Sequence, residues 1–174
     1  AKEAFGSQPS VYLTIGNFYE QSDRVGDARD IYKEGISKCA DPIDLLIALG
    51  RAHRLLGFIS EGLVQINKAL DLNGSYPPAL AERCAFHVLK GEYDDAYTLL
   101  SSYIASNPNK SLTPGLAIAY ANTCRQTGRY DESINTLRST LQNPGVTDEM
   151  QSVIHFSMGD SYDKLEEYGR AFSM

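Results

Sequence analysis

No apolar run in the 174 residues comes near the roughly 20 needed to span a bilayer, and no secretory leader is expected. Cysteine is scarce. Cys39, Cys84 and Cys124 stand far apart and make no disulfide framework, which points to a reducing, cytoplasmic compartment. All three are expected to be reduced, with no metal or other cofactor bound. There is no basic run and no aromatic-basic motif, and the net charge of −6 argues against non-specific nucleic-acid binding. Also missing are a phosphate-cradling glycine loop, a nucleophile elbow and an HExxH pair. These absences point away from catalysis.

What the chain does have is a period. Gly16 and Gly50 are 34 residues apart, as are Leu46 and Leu80, Gly57 and Gly91, and Ile66 and Leu100. Small insertions at Ser111–Thr113 and near Asp148–Gln151 bring Gly128 and Gly159 into the same register. Five copies follow: 9–42, 43–76, 77–110, 114–147 and 152–174. Within each copy apolar residues recur at helical spacing on both sides of a turn, so each copy reads as two helices. Neither helix can bury its apolar stripe alone, but stacked copies can.

The copies resemble the tetratricopeptide repeat. Tyr12, Ile15, Gly16, Tyr19, Ala28 and Tyr32 carry the pattern in the first copy. Leu46, Leu49, Gly50, His53, Gly62, Ile66 and Ala69 carry it in the second, and Leu80, Cys84, His87, Ala96, Leu100 and Pro108 in the third. The fourth is looser (Ala117, Tyr120, Ala121, Cys124, Ser133, Leu137), and the fifth offers His155, Met158, Gly159, Tyr162 and Ala171. The resemblance implies an all-α, right-handed superhelical solenoid of antiparallel helix pairs, one domain over 9–174. The small residues sit where the helices of a pair approach closely; a larger side chain there would overpack the contact.

Helices are expected over 9–22, 25–39, 42–56, 59–72, 77–90, 93–106, 112–127, 130–142, 148–165 and from 167 onward. Asp41-Pro42 and Thr113-Pro114 each read as an N-cap followed by proline at the first helical position. The break 107–113 is the expected place for a change of superhelical pitch. Residues 1–8 read as the end of an earlier repeat or as a frayed leader. The fifth copy stops early in its second helix and leaves Tyr168, Ala171 and Phe172 to project an apolar face. That predicts a longer natural protein or self-association through this end. It also predicts a higher thermal midpoint once the repeat is extended.

Individual residues offer little chemistry. His53, His87 and His155 fall on packing positions of the repeat. Cys84 and His87, three apart on one helix, would make half a zinc site with no evident second half. The sequons at Asn73 and Asn109 are short enough to arise by chance. Asp94-Asp95 and Glu166-Glu167 lie where second helices begin, which helix dipoles explain.

The resemblance implies a non-enzymatic scaffold that holds a peptide or partner protein in a groove lined by the first helix of each pair. Carried over position by position, the groove rows are Leu13, Ile47, Ala81, Ile118 and Phe156; Asn17, Arg51, Ala85, Asn122 and Asp160; and Glu20, Arg54, Val88, Arg125 and Asp163. The expected binding set is Asn17, Arg51, Arg54, Val88, Leu89, Asn122 and Arg125, suited to an extended, acidic peptide. The two-carboxylate clamp of co-chaperone repeats needs Lys and Asn where this chain has Leu13, Ala48, Pro78 and Glu82, so no such clamp is expected. An alternative is that the chain is a regulatory or substrate-docking segment of a larger enzyme. Residues 155–174 resemble the last repeat ahead of the catalytic domain in bacterial repeat-containing sulfotransferases.

Overall fold

Residues 8–108 and 112–172 are described by a computed structural model, with side chains as far as Glu166. Helices and turns account for the structure, with no strand among the described residues. The helices are α1 (Pro9–Gln21), α2 (Val25–Lys38), α3 (Ile43–Leu55), α4 (Ile59–Leu72), α5 (Pro77–Leu89), α6 (Tyr93–Ser106), α7 (Pro114–Gln126), α8 (Tyr130–Thr140) and α9 (Asp148–Phe172). They fall into two units, residues 1–86 and 87–174.

In the first unit α1 and α2 run antiparallel. A Cβ built on Gly16 would come within 2.1 Å of the Tyr32 ring, and one on Gly35 would meet Tyr12 at 2.7 Å. α3 and α4 repeat the device more tightly. Gly50 faces Ile66, Gly62 faces Phe86 of α5, and the two glycines lie against each other's carbonyl oxygens. One core joins Tyr12, Ala28 and Tyr32 to Leu45, Ala48, Leu49 and Ala52. A second joins Leu46, Ile47, Ile66 and Ala69 to Ala79 and Phe86. In the second unit Ala121, Leu137 and Ile154 hold α7, α8 and α9 together.

One turn design closes four of the helix pairs. The backbone N–H groups of Arg24, Phe58, Glu92 and Arg129 donate to the carbonyls of Tyr19, His53, His87 and Cys124, five residues back. The residue before each donor is left-handed: Asp23 at φ 58°, Gly57 at 82°, Gly91 at 77° and Gly128 at 75°. This is the Schellman closure, which needs a residue at ease with positive φ. Asp23 is the one non-glycine among them. We expect Asp23→Gly to raise the stability of the first unit by about 1 kcal/mol, and Gly57→Ala to lower it by about as much. Urea titration checks both.

The same register explains a departure from expectation. The sequence predicted a break near 166 and a new helix from 167, but α9 runs unbroken from Asp148 to Phe172. The turn position here is Glu166, which has no ease in the left-handed region, and no glycine or proline flanks it. Glu166 and Glu167 therefore lie inside a helix, not at the start of one. Two smaller points concern helix starts. Thr113 caps α7 as expected, its Oγ1 accepting from the Leu116 N–H at 3.4 Å. α3 starts one residue later than expected, with Pro42 rather than Asp41 in the N-cap position. Residues 1–7, 109–111 and the side chains of Tyr168, Ala171 and Phe172 lie outside the described residues.

Candidate functional site

α1, α3 and α5 carry the predicted groove residues of the first unit, and an ion-pair ladder joins them. Arg51 donates from Nε to Glu20 Oε2 at 3.1 Å and from Nη2 to Asn17 Oδ1 at 3.2 Å. The Tyr32 hydroxyl lies 3.0 Å from both Asn17 Oδ1 and Glu20 Oε1. Arg54 donates from Nε and Nη2 to Glu82 Oε2, at 3.2 and 3.0 Å, with its guanidinium 6.0 Å from the Phe86 ring centre. Glu20 holds the Arg51 guanidinium charged despite its burial, and its pKa lies above the ordinary arginine range. Asn17, Arg51 and Arg54 are thus brought together, but two carboxylates already balance the two arginines.

The second unit repeats the scheme. Arg125 pairs through Nη1 with Asp160 Oδ2. Ser157 Oγ donates to Asn122 Oδ1 at 3.3 Å. Val88 is half-buried, Leu89 is 56% exposed and Phe156 is 76% exposed. The sequence reading passed over a network nearby. Tyr97 and Tyr120 stack with centroids 5.8 Å apart, Arg129 lies 3.9 Å over Tyr97, and both hydroxyls reach Glu132. Burial foremost, and then the Glu132 carboxylate, push the Tyr120 phenol well above its ordinary range. The available signal was the tyrosine pair itself, since rings that share an interface pack stacked or edge-on.

The histidines part company. His53 is buried as expected and meets Phe58 edge-on; neither of its ring nitrogens has a hydrogen-bond partner among the described residues. His87 Nδ1 lies 2.9 Å from Glu92 Oε2 across the turn. His155 is exposed, against expectation, because α9 does not fold back to cover it. Burial, then Lys33 and Arg29, lower the His53 pKa, while Glu61 opposes them weakly. The folded chain therefore resists protonation that the unfolded chain accepts near its ordinary value of 6.5. This contribution to stability is whole above that pH and is lost as pH falls below it. We expect the first unit to lose stability between about pH 7 and pH 5, with a shallower slope in His53→Phe. Denaturant titrations at both pH values measure it.

The cysteines are all buried and form no disulfide among the described residues. Burial raises the Cys124 thiol to about 12. Among the described residues Cys84 and His87 are not gathered into one group of three or more ligand atoms. The group that gathers is His87, Glu92 and Asp95, whose ligand atoms lie within 4.8 Å of one another. The Lys90 ammonium sits on the same Glu92 carboxylate. The positive end of α6 starts there too, so the place is poorly suited to a cation. Among the described residues are two open hollows. One, of about 400 Å³, is lined by uncharged residues including Thr136, Thr140 and Asn143. The other, of about 500 Å³, lies beside Asp41, Asp44 and Tyr76. Among the described residues no helix is long and apolar enough to cross a membrane.

No family model and no curated protein matches the sequence. Solved structures do match its fold. A tetratricopeptide-repeat protein of Thermus thermophilus, TTC0263, superposes with a TM-score of 0.70 at 18% identity, covering 95% of this chain and 91% of that one. A tetratricopeptide-repeat protein of Parabacteroides merdae gives 0.63 at 18% identity, with 95% of this chain on 62% of the other. MamA of Desulfovibrio magneticus gives 0.56 at 14% identity, covering 95% and 93%. The helix pairs, their glycine contacts and these superpositions agree: the chain has the all-α fold of the tetratricopeptide-repeat proteins.

Proposed function

We propose that the chain is a non-enzymatic protein-interaction scaffold, and that the face of first helices in each unit receives an extended peptide. In the first unit that face presents Asn17, Arg51 and Arg54; in the second it presents Val88, Leu89, Asn122 and Arg125. The observation that carries the reading is the state of the arginines. Arg51, Arg54 and Arg125 keep 32, 23 and 24% of their side-chain surface exposed while an acid on a neighbouring helix fixes each one. A guanidinium already held in place loses little freedom when a further carboxylate docks on it. The preferred ligand is acidic, with apolar side chains placed near Leu89. The compartment is reducing and cytoplasmic, on the evidence of three buried thiols. We propose in addition that the chain self-associates through its C-terminal end.

The test uses arrayed acidic peptides and fluorescence anisotropy. Glu82 competes with an incoming carboxylate for Arg54, so Glu82→Gln should tighten acidic peptides about tenfold, worth about 1.4 kcal/mol. Leu89→Asp should weaken them by about as much. If acidic peptides fail to bind, or bind both folded variants as they bind the parent, the groove reading is wrong.

A further inference from the structure

In the first, second and fourth copies the first helix is covered by its own second helix. Gly16 receives Tyr32, Gly50 receives Ile66, and Cys84 and Ala121 are buried in the same register. In α9 that register holds Gly159, where an added Cβ would meet nothing within 4 Å. His155 and Tyr162 beside it are exposed, whereas their counterparts Leu46 and His53 are buried. A glycine in mid-helix weakens the helix, and nothing among the described residues uses the room it makes. His155, Gly159, Tyr162 and Glu166 are spaced four, three and four, which places them on one seam. The Tyr162 hydroxyl accepts from Arg138 Nη2 at 2.8 Å, which anchors the ring at the edge of that seam.

We propose that this seam is the self-association surface, with a second copy packing its α9 antiparallel across it. The partner's Tyr162 then enters the notch over Gly159, as Tyr32 enters the notch over Gly16. The seam is self-complementary. A two-fold axis between Asp160 and Ser161 sets Gly159 opposite the partner's Tyr162, and His155 opposite the partner's Glu166. Each match occurs twice. Knob and notch, imidazole and carboxylate, lie equally far from one point on one helix, which singles out a second copy over an unrelated helix. The inference rests on the self-association reading and is independent of peptide binding.

The experiment is light scattering on the 174-residue chain from about 5 to about 200 μM. The mass should rise from 19.2 kDa towards twice that value. Gly159→Arg and Tyr162→Ala should hold it at 19.2 kDa with helical circular dichroism intact. His155→Glu should weaken the dimer about tenfold by setting like charges face to face, and adding Glu166→Lys should restore it. Gly159→Ala should raise the thermal midpoint of the dilute monomer while weakening the dimer. A chain that is monomeric throughout overturns both the seam and the self-association reading. A dimer indifferent to Gly159→Arg and Tyr162→Ala keeps self-association and overturns the seam. Failure of the charge-swapped pair to recover overturns the antiparallel register.

Discussion

Replacing Tyr32 by alanine should cost the first unit about 3–5 kcal/mol, a large fraction of the roughly 5–15 kcal/mol that holds a small domain folded. The ring is fully buried and occupies the notch over Gly16, so its removal leaves a cavity between α1 and α2 that the helices can close only by moving. The hydroxyl adds a separable part. It lies within bonding distance of Asn17 and of Glu20, the acid that holds Arg51. Tyr32→Phe keeps the ring and should lose about 1–2 kcal/mol. The two variants also differ from the parent in alkali. Burial, then the neighbouring Glu20 charge, raises the phenol from 10.0 to about 12. That contribution is whole below pH 10 and is lost as pH rises through 12. Urea titrations at neutral pH and near pH 11 separate ring, hydroxyl and ionisation. A Tyr32→Ala variant as stable as the parent would mean that α1 and α2 are not packed as described.

The second large effect belongs to Gly62. A side chain there would meet the Phe86 ring at 2.5 Å on one side and the Gly50 carbonyl oxygen at 3.0 Å on the other. The ring can be trimmed, but the carbonyl belongs to a helix backbone. Gly62→Val should therefore cost about 3 kcal/mol, at the upper end of ordinary overpacking. Combining it with Phe86→Ala should not restore the parent stability, because the clash with the Gly50 oxygen remains. Recovery in the double variant would place the whole strain in the ring. Thermal melts of the parent, the two single variants and the double variant decide it.

Much of this was legible in the sequence, for a physical reason. Close helix contacts demand small residues at Gly16, Gly50 and Gly62, and those demands return every 34 residues, so period and fold appear together. Two matters were harder to see. One is the pairing of the groove arginines, each joined to an acid offset by 28 to 35 residues, a span that shifts with the exact stacking of adjacent repeats. The other is the course of α9, which departs from the repeat at one residue. Glu166 stands where Asp23, Gly57, Gly91 and Gly128 turn the chain, and a glutamate prefers to continue the helix. His155, read as a packing residue, is exposed for the same reason.

The ladder that balances the groove arginines has a consequence for the order of events in synthesis. The bonds between repeats span about one period: Arg51 to Asn17 covers 34 residues, and Arg125 to Asp160 covers 35. Each segment leaving a ribosome therefore meets its partners within one repeat of chain, without waiting for distant sequence. Such locality favours folding in microseconds to milliseconds. Folding can begin at any pair and spread to its neighbours.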